Sequence, residues 1–161
     1  MTRIGLDTSC LNAKKTHTVL NELDVLEKNG KIKLITSTVH EKEQSSSNSN
    51  DFWKEKYKGR INQKEKVPEV GHYNISEFDN CVFGDRDISN KLEEILEINP
   101  ESENDFYDLW LLETALAGDC EFFLTLNSKD FINNGKKEKL ESLGIKIRLP
   151  NEEFINELKS I

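Results

Sequence analysis

Ile4-Gly5-Leu6-Asp7-Thr8-Ser9-Cys10 places a carboxylate where a short apolar run turns abruptly polar. The apolar triplet reads as a buried strand, so Asp7 and the hydroxyl residues after it stand at a strand's C-terminal end, where open α/β sheets put their chemistry. The same layout returns far along the chain. A helix-like stretch from Asp105 to Gly118 leads into Phe122-Phe123-Leu124, which ends in Thr125-Leu126-Asn127. Two apolar strands that each end in oxygen-bearing side chains point to a site for a hard metal ion.

The rest of the chain fits an α/β reading. The strand at 3–7 is followed by Val19, Leu23 and Leu26, one face of a helix that stops at Asn29-Gly30. Ile32, Leu34 and Ile35 form a second strand running to Thr36 and Ser37, and a polar helix starts near Thr38. Ser45 to Asn50 is a Ser/Asn tract, and no sustained period appears from there to about Asp87, which reads as loops and short helical pieces. This makes about 45–95 a polar, insertion-like segment.

Leu92, Ile95 and Leu96 mark a helix ending before Asn99-Pro100. Leu109, Leu112, Ala115 and Leu116 mark a longer one with Gly118 in the position of a C-terminal cap. A strand at 121–126, a helix over about 136–143 stopped by Gly144, a strand through Ile145, Ile147 and Leu149, and a final helix at 151–159 complete the order. Strands and helices alternating through short connections predict a central parallel sheet with helices on both faces.

Composition sets outer bounds. At 161 residues the chain is expected to form one domain over 1–161 around a single core. Its apolar content of 35% lies below the usual share of about 45–50%, so part of the chain must be solvent-rich. A net charge of −8 argues against non-specific nucleic-acid binding over the whole surface, and leaves room for a local basic patch. Cys10, Cys81 and Cys120 are an odd count without metal spacing, which suits a reducing cytoplasm and neither a disulfide framework nor a zinc site. No run approaches the roughly 18 apolar residues of a membrane span, and with a strand starting at the first residues no signal peptide is expected. His17, His40 and His72 are scattered and read as ordinary surface or boundary residues.

Taken together, Ile4 to Ser9, Ser37-Thr38-Val39-His40-Glu41-Lys42-Glu43, Asp108 near the start of an amphipathic helix, and Phe123-Leu124-Thr125-Leu126-Asn127 resemble the PIN-domain nucleases. The resemblance covers nearly the whole chain outside about 45–95. It implies a small α/β/α sandwich with a central parallel sheet, whose acidic residues hold Mg²⁺ or Mn²⁺ and cut RNA or sometimes DNA, leaving a 5′-phosphate and a 3′-hydroxyl. Asp7 matches the first acid; its other reading is a cap for the following turn. The second acid is Glu43 when the family spacing is counted from Ser37, and Glu41 when it is counted from Ile35.

Asp108 matches the third acid. Asp105 lies on the same helical face and is either a further metal or water contact or part of the helix start, with Ser102 three residues before it. At Asn127 the chain departs from the family, which often has an aspartate there. An amide carbonyl can still ligate a cation, with one negative charge fewer. Asp130 either compensates or simply opens the next helical turn. Thr8 and Thr125 would orient a phosphate or a ligand carboxylate. Toxin-like members of the family are inhibited by a small protein partner and often form homodimers, so both are possible partners here.

The chemistry expected of such residues follows from charge. Carboxylates crowded around one point destabilise one another until a hard cation neutralises them, and oxygen donors select Mg²⁺ or Mn²⁺. Substrate attraction would fall to Lys54, Lys56, Lys58, Arg60, Lys64 and Lys66, with Trp53 and Tyr57 among them to stack unpaired bases. The alternative is a solvated charged helix with its aromatics turned inward. A haloacid-dehalogenase-type phosphatase would need an aspartate where Ser9 stands, and a phospho-receiver domain would need paired acids near the first strand together with a lysine at a late strand end. The serious rival is a PIN-like scaffold that binds RNA or a protein partner without strong catalysis.

Overall fold

In a β-strand successive side chains leave on opposite faces, and the first strand shows what that does here. Ile4 and Leu6 enter one core and Gly5 faces the other. A computed structural model describes residues 1–13, 17–46, 63–72, 76, 79, 81–99 and 101–161. Its elements are β1 (Thr2–Leu6), α1 (Thr8–Ala13), α2 (Thr18–Lys28), β2 (Ile32–Ser37), α3 (Thr38–Ser46), β3 (Glu65–Val67), β4 (Glu69–Val70), β5 (Cys81–Val82), α4 (Arg86–Leu96) and α5 (Glu103–Ala117). They continue with β6 (Phe122–Leu124), α6 (Ser128–Phe131), α7 (Lys136–Glu141), β7 (Lys146–Arg148) and α8 (Glu152–Ser160).

The main sheet has five strands in the order β3-β2-β1-β6-β7, and every pairing in it is parallel. β1 is central, with Gly5 opposite Ile35 on one side and Phe123 on the other. Ile4, Leu6, Ile32, Leu34, Phe122 and Leu124 pack on one face against Leu11, Leu20, Leu23 and Phe154 of α1, α2 and α8. Ile35, Phe123 and Ile147 pack on the other against Val39, Leu92, Trp110, Leu112 and Leu140 of α3, α4, α5 and α7. The expected α/β/α sandwich is therefore present, and a sheet covered on both faces explains why its strands read as apolar runs.

Local sequence sets the helix ends. α2 stops at Asn29-Gly30, with Gly30 at φ +70°. The side chain of Asp85 accepts the Asp87 and Ile88 N–H groups at the start of α4, and that of Ser102 accepts the Asp105 N–H at the start of α5. Gly118 does close α5, but at φ −86°, with the left-handed turn falling on Asp119 at φ +53°. Crowding explains this glycine: a Cβ there would lie 3.2 Å from both the Thr114 carbonyl and Val67.

The reading of 45–87 as loops and short helical pieces needs correction. β3, β4 and β5 fall inside it, β3 extending the main sheet and β4 pairing with β5 in a small second one. Strands of two or three residues are too short to display an alternation. β3 owes its place to its neighbours, Glu65 accepting from Arg3 Nη1 at 2.8 Å and pairing with Lys33. The same region also spends some of its basic residues on structure, Lys64 bridging Asp24 and Glu27, and Lys66 pairing with Glu41 at 2.5 Å. Trp53, Lys54, Lys56, Tyr57, Lys58 and Arg60 lie outside the described residues. Among the described residues no helix is long and apolar enough to cross a membrane.

Gly5 is what lets α5 lie close across β1, since a Cβ there would meet Ala115 Cβ at 2.9 Å. Gly5→Ala should therefore lower stability by about 1–3 kcal/mol through overpacking, read as a lower urea midpoint at unchanged slope. An unchanged midpoint would mean that the helix does not press on the strand.

Candidate active site at the C-terminal edge of the sheet

Asp7 lies one residue beyond β1, and its backbone is fixed on both sides. Its N–H donates to the Leu124 carbonyl at 2.9 Å, while its own carbonyl accepts from Cys10 at 3.0 Å as α1 begins. The carboxylate is buried at 3% exposure. Asp7 Oδ2 accepts from Ser9 Oγ at 2.5 Å and from Thr125 Oγ1 at 2.8 Å. Each hydroxyl has one proton and gives it to Asp7, so its lone pairs are left to accept: Ser9 Oγ takes the Leu126 N–H at 3.1 Å and Thr125 Oγ1 the Asn127 N–H at 2.9 Å. Two hydroxyl bridges thus tie the ends of β1 and β6 around one carboxylate.

Of the two glutamates open in the sequence, Glu43 faces Asp7. Glu41 turns outward to Lys66. α3 is held in this rotation from several sides. His40, fully buried, accepts the Ser37 N–H on Nδ1 at 3.1 Å and donates from Nε2 to the Leu6 carbonyl at 2.7 Å. Burial lowers its pKa and keeps it neutral, as the tautomer inferred from this network requires. Lys42 reaches buried Glu69 at 2.5 Å, and Thr38 donates to the same carboxylate. Glu43 is left pointing at the strand ends, where it accepts from Thr8 Oγ1. Burial pushes its pKa up to about 7; the Thr8 hydrogen bond opposes this and the charge of Asp7 adds to it.

Asp108, one turn into α5, completes the group. Its pKa is pushed up to about 8, by burial first and then by Asp7, Glu43, Asp130 and Asp105. All five influences act in the same direction. Asp105 caps the approach to α5, accepting the Asn99 N–H at 3.0 Å. Asn127 is the N-cap of α6: its Oδ1 accepts the Asp130 N–H at 3.3 Å and its Nδ2 donates to Asp130 Oδ2 at 2.5 Å.

Asp7, Glu43 and Asp108 therefore share one electrostatic neighbourhood, with Asp105 and Asp130 acting on Asp108 as well. Among the described residues no group of three or more His, Cys, Asp or Glu side chains is arranged to hold a metal ion. The carboxylates are near enough to repel one another without forming a ligand shell. In donor chemistry the group fits Mg²⁺ or Mn²⁺, being all oxygen and crowded with negative charge in a partly desolvated place.

Two participants escape a reading by motif. Ser9 looked like the residue that excludes a phosphatase, and it is a direct partner of the Asp7 carboxylate. His40 looked like a boundary histidine, and it is a buried clamp between β1 and the start of α3. Its position three residues after Ser37 was the available signal, since a side chain there can turn back to the strand-end N–H.

No protein-family model matches this chain, and no curated protein matches it. Among solved structures, VapBC2 from Rickettsia felis, bound to a DNA fragment from their promoter, aligns over 92% of this chain and 98% of the matched chain. The identity is 16% and the TM-score 0.46. A likeness of that degree decides neither family nor activity.

Glu43 and Asp108 hold protons in the folded state at pH values where the unfolded chain, with ordinary carboxylates, has lost them. Their contribution to stability is therefore greatest below about pH 4 and falls as pH rises to about 8. Asp108→Asn should gain stability relative to the parent over that interval, most at its upper end, when both are denatured in urea without divalent cations. A difference between the two that does not change with pH would show that Asp108 is not crowded by charge.

Proposed function

We propose that this protein is a metal-dependent nuclease of the PIN type that hydrolyses RNA phosphodiesters, acting on single-stranded or looped RNA. The observation that carries the reading is the gathering of Asp7, Glu43 and Asp108 at the C-terminal edge of the parallel strands. The order and spacing of the sequence motifs support it independently. Asp7, Glu43 and Asp108 would hold Mg²⁺ or Mn²⁺, with the Asn127 carbonyl oxygen or Asp130 at the margin. When bound, the cation supplies a water of lowered pKa and compensates the charge of the phosphoryl group.

The chain's own residues do the positioning. Ser9 and Thr125 hold Asp7 in one orientation, Thr8 holds Glu43, and His40 fixes the junction that aims α3. Thr8 and Thr125, bonded to two of the acids, would also orient a phosphate. A small inhibitory protein, a homodimeric state and a cytoplasmic setting are the partners and location this reading favours.

Chelation with EDTA should abolish RNA cleavage and Mn²⁺ should restore it. Asp7→Asn and Asp108→Asn should each lower the rate by at least about 100-fold, since even losses of groups that only support metal ligands cost about 10- to 100-fold. Cleavage that proceeds equally in EDTA would overturn the assignment.

One observation favours a weaker, scaffold-like role: the Asn127 amide is engaged in capping α6 and bonding Asp130. Asn127→Asp tests whether that amide weakens the site. Aspartate caps as well as asparagine, so the turn should survive, but it brings a second carboxylate against Asp130. The variant should bind Mn²⁺ more tightly and cleave faster at low metal concentration. If Asp130 already serves the site, Asn127→Asp will change little and Asp130→Asn will remove activity, a distinction read from Mn²⁺ titrations of both.

A further inference from the structure

A cavity of about 620 Å³ lies between β4, β5, α4 and α5, reaching the place where Asp119, Cys120 and Glu121 lead into β6. Asp7 and Thr125 follow the ends of parallel strands, whereas Asp119 to Glu121 precede the start of one, so the cavity and the acidic site occupy opposite edges of the sheet. Sites for small molecules run to about 300–1,000 Å³, with apolar walls and a few placed polar groups. This cavity has that make-up. Leu116 of α5 contributes to its walls, and its charged lining among the described residues consists of Asp85, Glu113, Asp119 and Glu121, with no lysine or arginine among them.

Two of these residues set its chemistry. Glu113 lies in the middle of α5 at 4% exposure, accepting from Ser89 Oγ and bonded to His72 Nε2 at 2.8 Å. A carboxylate in such a place is costly unless it is served by partners, and the fold supplies two. Phe83, in the turn between β5 and α4, is 98% exposed. Among the described residues the other exposed large hydrophobic residues are Val25 and the terminal Met1 and Ile161, so Phe83 is the exposed aromatic, and it stands on the cavity.

The geometry points to a binding site for a small organic cation, an ammonium or guanidinium group carried on a hydrocarbon body. The positive group faces Glu113 and the acidic lining, and the hydrocarbon lies along Leu116 and Phe83, whose ring attracts a cation through its face. An anion is repelled by the four carboxylates. A neutral apolar molecule would desolvate them without compensation. A bare divalent cation is disfavoured, because the carboxylates are spread around apolar walls.

The test is calorimetry and amide chemical-shift mapping on the full chain with 1,6-diaminohexane, against 1-hexanol and hexanoate as probes of equal length. The diamine should bind with a stoichiometry of one and shift amides around Phe83 and Leu116, and both controls should bind at least about tenfold more weakly. Phe83→Ala should weaken the diamine about threefold or more, and Glu113→Gln, which keeps groups able to bond Ser89 and His72, about tenfold. If Glu113→Gln does not fold, Phe83→Ala decides, since a side chain so exposed does not support the core. Equal binding of hexanol, shifts confined to the Asp7 and Asp108 edge, or indifference of the diamine to the Phe83 change would each overturn the assignment.

Discussion

The carboxylate of Asp7, bonded by the hydroxyls of Ser9 and Thr125, is the contact on which the candidate site depends. A buried carboxylate is tolerated only when hydrogen bonds replace the water it has lost. Both hydroxyls are themselves held by backbone N–H groups of the β6 end, so the orientation of Asp7 is set by the pairing of two strands and not by one flexible side chain. Were β1 and β6 not adjacent, neither bridge would exist.

Around that fixed charge the scaffold brings others closer than electrostatics alone would allow. α5 lies across β1 because Gly5 leaves space for Ala115, and this delivers Asp108. α3 is turned by His40, Lys42 and Thr38, and this delivers Glu43. The pKa values of Glu43 and Asp108 are raised, in both cases first by burial and then further by neighbouring charge. Hydrophobic packing of the two cores is what holds the helices in place against this repulsion.

Lys42, Lys64 and Lys66 are engaged in structure. Lys42 and Lys64 are bound to partly or fully buried carboxylates, whereas Lys66 and Glu41 form a pair with about a third of each side chain exposed. An exposed pair of that kind is worth roughly 0–1 kcal/mol, so Lys66 can leave Glu41 at little cost. Lys42 cannot do so without leaving the buried Glu69 carboxylate uncompensated.

Much of this was legible in the chain. Apolar runs ending in Asp7 and in Thr125 to Asn127 announced parallel strands with polar C-terminal ends, and the periodic residues Val19, Leu23 and Leu26, then Leu92, Ile95 and Leu96, then Leu109, Leu112, Ala115 and Leu116 announced three helices, because burial writes itself into local sequence patterns. β3, β4 and β5 left no such pattern, being two or three residues long and stabilised by partners distant in sequence. The choice between Glu41 and Glu43 was likewise closed to counting. Two residues apart on a helix, they differ only in which way the helix is rotated, and that rotation comes from contacts with Leu6, Lys66 and Glu69, which only the folded chain brings together.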